Sequence, residues 1–308
     1  MATITASLVK ELRDKTGAGM MDCKNALKEN DGDIEASIDW LRTKGIAKAE
    51  KKSDRVAAEG LIGVASEGSK SAIVELNSET DFVARNEQFQ QMVRDVAKTA
   101  LAGDGAVEAI AASTISGGEA SVSDTITKAI GTIGENMNLR RAAVMEVANG
   151  VVATYVHNAA GEGLGKMGVM VALESTGDAD ALTAIGKQVA MHVAATNPVA
   201  ATQDEMPADV VARERAIYVE QAAESGKPEN IVEKMVEGRM RKYFQESVLL
   251  SQTFVIDGEN TVEQAIKNAE ASVGAPITLK GFIRLALGEG VEKKEEDFAA
   301  EVAAMSGN

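Results

Sequence analysis

The sequence predicts an α+β protein of several modules: a three-helix N-terminal module, a duplicated antiparallel-sheet/helix core, an inserted antiparallel helical coiled-coil hairpin and a C-terminal helix. Three observations carry this. Apolar residues recur at helical spacing over residues 1–45 and again over 201–249. Two pairs of strand-length apolar runs flank glycine-bearing turns. The order strand, strand, helix then occurs twice along the chain, the mark of an internal duplication.

In the first module, Ile4, Leu8 and Leu12 share one helical face. Gly17-Ala18-Gly19 breaks the pattern, Met20 to Lys28 restarts it, and Asn30-Asp31-Gly32 breaks it again. Asp33 is placed to cap a third helix with Ile34, Ile38 and Leu41 as its stripe and Trp40 nearby. Three helices of this size resemble a ubiquitin-associated bundle, a binding module. The adjacent Met20 and Met21 at a helix start suit either a core or an adaptable contact surface. Gly45 to Arg55 is rich in lysine and alanine and reads as a solvated helix or linker, which closes the module at 1–54.

The core follows. Leu61–Ala65 and Ser71–Leu76 flank Glu67-Gly68-Ser69-Lys70 as a hairpin. Phe89, Met92, Val93, Val96, Ala97 and Ala100 line one face of a helix that Gly103 ends. Ile126, Ile130 and Ile133 form the next stripe, and these elements make a subdomain over 55–140. A second subdomain combines 141–200 with 250–288: a hairpin of Val151–His157 and Gly168–Glu174, a helix carrying Ala181, Ile185, Val189 and Val193, and a returning strand over Thr278–Leu287. Between its two parts lies the helical hairpin of 201–249, with Val210, Val211, Ile217 and Tyr218 on one helix and Ile231, Met235, Val236, Met240 and Phe244 on the other. Ser225-Gly226-Lys227-Pro228 breaks the pair, so the helices run antiparallel. Residues 289–308 form a terminal module with a short helix over Phe298–Met305.

Composition excludes several functions. The 308 residues carry 32 basic against 47 acidic side chains, a formal charge of −15. That balance disfavours direct nucleic-acid binding, whose footprint is basic. No apolar run reaches the ~20 residues needed to span a bilayer. One cysteine, Cys23, and an N-terminus without a secretory pattern fit a reducing cytoplasm. Two histidines, His157 and His192, with one cysteine cannot build an ordinary nitrogen/sulfur zinc site. Gly161-Glu162-Gly163-Leu164-Gly165-Lys166-Met167 imitates a phosphate loop but has alanine at 160 for the first glycine and methionine for the Mg²⁺-binding hydroxyl; it reads as a flexible hairpin loop. Glu29 to Asp33 lacks calcium-loop spacing. No segment assembles nucleophile, base and oxyanion donors, so no catalytic residue, metal or cofactor is assigned.

The most informative segment is Thr80-Asp81-Phe82-Val83, at the end of the strand Ala72–Leu76. Only 3% of the chain is aromatic, and a polar turn rarely carries phenylalanine. Either Phe82 folds back onto the core with Asp81 capping the next helix, or the pair probes another protein's pocket. The second repeat, Leu173-Glu174-Ser175-Thr176-Gly177-Asp178, continues with Ala179 and lacks the pair. The scaffold therefore does not require it, and the functional reading gains.

The segment Leu12-Arg13-Asp14-Lys15-Thr16-Gly17-Ala18-Gly19-Met20-Met21-Asp22-Cys23-Lys24-Asn25-Ala26-Leu27 resembles the amino-terminal signature of bacterial elongation factor Ts. Glu75-Leu76-Asn77-Ser78-Glu79-Thr80-Asp81-Phe82-Val83 resembles its second signature. The likeness continues in order through Ile133-Gly134-Glu135-Asn136, Ser225-Gly226-Lys227-Pro228, Glu233 to Met240 and Phe298 to Met305. Residues 104–122 and the loop Ala159–Gly165 depart from it and are expected as surface insertions. The resemblance implies a guanine-nucleotide exchange factor for the GTPase elongation factor Tu, acting without covalent chemistry or cofactor. It implies that Thr80, Asp81, Phe82 and Val83 disturb the GTPase's Mg²⁺ and phosphate site, and that Leu12, Met20, Met21, Ile133 and His157 make further partner contacts. The helical hairpin would serve homodimerisation, a 2:2 complex or partner contact. The competing readings are a ubiquitin-associated-like adaptor with an enzymatic core, which the missing catalytic groups disfavour, and a tRNA- or ribosome-binding protein, which the charge disfavours.

Overall fold

A computed structural model describes residues 4–292. The N-terminal module consists of α1 (Ala6–Thr16), α2 (Met20–Glu29) and α3 (Ile34–Glu50). Thr5 and Asp33 cap α1 and α3 by accepting from the amides of Leu8 (3.3 Å) and Ala36 (2.8 Å). Gly17, at φ 72°, ends α1 in a left-handed turn that only glycine adopts cheaply. Val9, Leu12, Cys23, Ala26 and Leu27 form the small core. The third helix runs further than expected, through the lysine-rich stretch read as solvated helix or linker. There it packs along α7 (Val122–Ile133), which joins the module to the rest of the protein.

Fifteen residues of α5 (Glu87–Leu101) cover a four-stranded sheet. Its strands are β1 (Glu59–Ser66), β2 (Lys70–Ser78), β3 (Met137–Glu146) and the two-residue β5 (Leu164–Gly165), in the order β3-β2-β1-β5. A second sheet, β4-β6-β7, is built from Gly150–His157, Met167–Glu174 and Thr278–Ala286 and covered by α8 (Ala179–Thr196) and α11 (Val262–Val273). Alternation along the strands explains how the layers stack. Ala72, Val74 and Leu76 point to the helices, against Phe89, Met92, Val93 and Val96. Their neighbour Ile73, with Ile62, faces Val152, Met170, Ala172 and Leu285 of the second sheet. Val169, Val171 and Leu173 turn the other way, onto Leu182, Ile185 and Val189. The order is thus helix, sheet, sheet, helix. The central strands β2 and β6 are buried on both faces, which is why they read as near-continuous apolar runs.

The two sheets repeat one design. Each has a hairpin, helices and then a returning strand beside the second strand of the hairpin. Each carries a register shift at the same place, between Glu75 and Leu76 and between Ala172 and Leu173. Each needs a glycine opposite it: Gly60 (φ 119°) and Gly150 (φ 140°), where a Cβ would strike the carbonyl of Leu76 or Leu173.

Three expectations need correction. Residues 104–122 are not a surface insertion: they contain α6 (Val107–Ala112), and Ile110, Ile115 and Val122 are buried in the first core. A stretch dominated by Ala, Gly and Ser hid three well-spaced apolar anchors. The loop of 159–165 is likewise no free insertion. Its β5 pairs with β1, the Gly163 carbonyl accepts from the Val64 amide at 2.8 Å, and Leu164 is fully buried, so it straps the two sheets together. Finally, β3 was not foreseen: its ladder with β2 continues past residue 140 to Glu146. Mid-strand Arg140 and Arg141 masked it. The expected helix at Phe298–Met305 lies outside the described residues.

The arm consists of α9 (Ala208–Ala223) and α10 (Glu229–Ser247), packed antiparallel around Ala222, Val236 and Met240. Of the expected stripe, Val211, Tyr218, Met235 and Phe244 join this contact, whereas Ile217 and Ile231 remain exposed. The base of the arm is tied to α8 by a buried histidine. Gln252 donates to the Glu246 carbonyl at 2.7 Å, which turns its amide oxygen to His192 Nε2 at 2.8 Å. The Nδ1 atom accepts from the Val255 amide at 3.2 Å. These partners require the neutral ring protonated at Nε2. Burial, only partly countered by the Gln252 bond, holds the pKa below the ordinary 6.5. The folded state therefore binds fewer protons than the unfolded chain, and this stabilisation is present above pH 6.5 and lost as pH falls below it. Acidification should weaken protection of the Val255 amide in hydrogen exchange, after correction for intrinsic rates. Equal protection at pH 7 and pH 5 would refute this.

Candidate functional site

Residues 79–86 form a hydrogen-bonded turn that carries one exposed ring. Strand β2 ends at Ser78, whose hydroxyl donates to the Thr80 carbonyl at 3.0 Å. Thr80 precedes the single-turn α4 (Asp81–Ala84). The turn closes through bonds from the Arg85 amide to the Phe82 carbonyl (3.1 Å) and from the Asn86 amide to the Val83 carbonyl (2.9 Å). Asn86 then caps α5, its Oδ1 accepting from the amides of Gln88 and Phe89. Val83 and Ala84 are buried in the first core and anchor the turn. Successive residues of a helical turn point about 100° apart, so anchoring Val83 turns Phe82 outward.

Phe82 is 73% exposed, the most exposed large apolar side chain among the described residues. Asp81 beside it pairs with Arg85 at 2.9 Å, and that guanidinium lies 5.9 Å from the centre of the Phe82 ring. The alternative in which Phe82 packs on the core and Asp81 caps a helix is overturned. Thr80, not Asp81, holds the cap position, and its hydroxyl is engaged elsewhere, by Glu135.

Behind the turn lies a corner that sequence reasoning did not credit with a role. Glu135 accepts from the Thr80 amide at 2.9 Å and from its hydroxyl at 2.6 Å. Glu79 accepts from the Asn136 amide at 2.5 Å. The signal available in the sequence was Gly134, which ends α7 at φ 90° and brings Glu135 and Asn136 round to the end of β2.

The other expected contact residues are spread over the fold. Met20 and Met21, at 61% and 66% exposure, form a surface at the start of α2 and are not core. Leu12 is fully buried, so it packs the module and offers no surface of its own. Ile133 is half-buried at the end of α7, immediately before the corner that holds Thr80. His157 is exposed at the end of β4 on the second sheet, with the Tyr155 hydroxyl 3.0 Å from its Nδ1.

A cleft of about 920 Å³ lies between the N-terminal module and α7, with Trp40, Leu41, Ile115, Asp124 and Lys128 in its walls. No histidine or cysteine lines it. Among the described residues no group of His, Cys, Asp or Glu is placed to hold a metal ion, and no helix is long and apolar enough to cross a membrane. The turn presents an acid–aromatic pair, Asp81 and Phe82, on the surface.

A family model described as Elongation factor TS matches residues 79–289, beginning one residue before the Thr80–Val83 turn. Over 304 residues, covering 99% of both chains, the sequence is 66% identical to Elongation factor Ts of Rhizobium meliloti (strain 1021). The figures are 66% and 65%, with the same coverage, for the proteins of that name from Sinorhizobium medicae (strain WSM419) and Rhizobium etli (strain CIAT 652). The likeness runs through both sheets, the arm and the N-terminal module: this chain belongs to the elongation factor Ts family.

Proposed function

We propose that the protein is a guanine-nucleotide exchange factor of translation elongation, binding elongation factor Tu with GDP and promoting its exchange for GTP. The observation that carries this reading is Phe82: a large ring held out in solvent by a turn whose neighbouring residue is anchored in the core. A soluble fold gains nothing from such a placement, whereas a partner's pocket does. The Thr80–Val83 turn would enter the GTPase beside the Mg²⁺ and phosphate site. Mg²⁺ is the largest local charge holding the nucleotide's phosphates, so displacing the groups around it weakens nucleotide binding. Met20, Met21, Ile133 and His157 would add contacts away from the nucleotide. The arm, with Ile217 and Val219 exposed, is the surface we assign to self-association. The activity is one of binding, with no covalent step.

Binding of this kind is reciprocal: if the factor weakens GDP binding, GDP must weaken binding of the factor by the same ratio. Titrating the protein into nucleotide-free elongation factor Tu and into its GDP complex should give a much larger Kd in the second case. Equal affinities would exclude exchange activity.

A further inference from the structure

We propose that Glu135 is the positioning residue of the docking turn and that, together with Asn136, it locks this turn to the linker carrying the N-terminal module. This deepens the exchange-factor reading and rests on it. Both carboxylate oxygens of Glu135 are spent on one residue, Oε2 on the Thr80 amide and Oε1 on the Thr80 hydroxyl. Two bonds from one planar group fix orientation as well as position, where one would leave a swivel. Thr80 directly precedes Asp81 and Phe82, so its orientation sets the direction in which the ring leaves the body.

The tie is returned from the other side. Glu79 Oε1 accepts from the Asn136 amide, and the Asn136 side chain donates to the carbonyls of Arg55 (2.7 Å) and Ser53 (3.3 Å). Lys52 donates to the Gly134 carbonyl, and Arg55 pairs with Glu79 at 3.3 Å. Residues 52–55 are the chain leaving α3, so the corner at 134–136 joins the exit of the N-terminal module to the root of the docking turn. The exposed Met20–Met21 surface and the exposed Phe82 ring thus hang from one joint. A partner that engages both meets them at a fixed separation, which removes ordering cost from the docked state. A turn that swivels would still dock through the remaining surfaces but would wedge poorly.

The test combines hydrogen exchange on the free protein with stopped-flow release of fluorescent GDP from elongation factor Tu, using wild type, Glu135→Ala and Glu135→Gln. For Glu135→Ala the Thr80 amide should exchange about tenfold faster or more, as a local opening made easier. The maximal GDP-release rate should fall about tenfold, the scale of one charge-assisted hydrogen bond, with the half-saturating concentration moving by less than roughly threefold. Glu135→Gln, which keeps one acceptor oxygen, should fall between. The thermal midpoint of all three should coincide. Unchanged Thr80 protection and an unchanged maximal rate in Glu135→Ala would overturn the proposal, as would a loss of rate that merely follows a loss of thermal stability, or a Gln variant no better than Ala. Wild type that leaves GDP release unaltered would refute the exchange-factor reading instead, while the exchange of the Thr80 amide would still decide the role of Glu135.

Discussion

The Asp81→Ala, Phe82→Ala double variant is expected to lose stimulated GDP release by two to three orders of magnitude while folding as the wild type does. Residues that fill a partner's pocket contribute about 2 kcal/mol or more each, and ~1.4 kcal/mol is tenfold in rate or affinity. The free protein, by contrast, barely uses them. Phe82 is 73% exposed, and the Asp81–Arg85 pair is a surface contact in which both partners are wet. Such pairs contribute little to folding, and surface substitutions of this kind stay within about 0.5 kcal/mol. The combination is diagnostic: collapse of activity with an unmoved melting curve marks a docking element, whereas parallel loss of both would return Phe82 to a structural role. The two single variants then divide the work between the acid and the ring.

Glu75→Ala should show the opposite pattern, a large loss of stability. Glu75 is fully buried on the face between the two sheets. It accepts from Arg140 at 3.1 and 3.2 Å, Arg141 at 2.5 Å, the Asn77 side-chain Nδ2 at 3.0 Å and the Gly288 backbone amide at 2.8 Å. The same arginines reach onward to the carbonyls of Ala286 and Glu289, so this carboxylate ties the first sheet to the chain that follows β7. Burial alone would raise its pKa; the Gly288, Asn77 and Arg141 bonds outweigh that and hold it below the ordinary 4.5. The native state thus keeps the charged form, and this stabilisation is lost as pH falls below 4.5. Removing one partner of a buried ionic cluster typically costs about 3–5 kcal/mol. Both arginines keep some access to water, so the lower end, about 3 kcal/mol, is expected here. At roughly 2–4 °C per kcal/mol, the thermal midpoint should drop by roughly 6–12 °C. A midpoint within about 1 °C of wild type would show that the arginines find other partners.

Much of this was legible in the chain. Helical stripes gave the first module, α5, α8 and the arm, because a 3.6-residue period survives wherever one face is buried. The Thr80–Val83 turn stood out because an aromatic was placed where turn chemistry does not want one, and because the second repeat lacks it. Other parts were hidden for identifiable reasons. Strand β3 carries Arg140 and Arg141 in its middle, and they belong there only because Glu75 is buried opposite, a fact of pairing that no local pattern shows. Ile110, Ile115 and Leu164 are single apolar anchors in Ala-, Gly- and Ser-rich sequence, and composition averaged over such stretches reads as loop. The stacking of the two sheets was equally invisible, since a strand buried on both faces states that it is covered without saying by what. The Glu135–Thr80 tie spans 55 positions and depends on where Gly134 turns the chain.

In the proposed function, the Thr80–Val83 turn drives nucleotide out of a GTPase. The direct measurement is stopped-flow release of fluorescent GDP from elongation factor Tu on mixing with a saturating amount of the purified protein and excess unlabelled GDP. A coupling of several kcal/mol predicts release accelerated by orders of magnitude over the spontaneous rate. A trace that follows the spontaneous rate would contradict it.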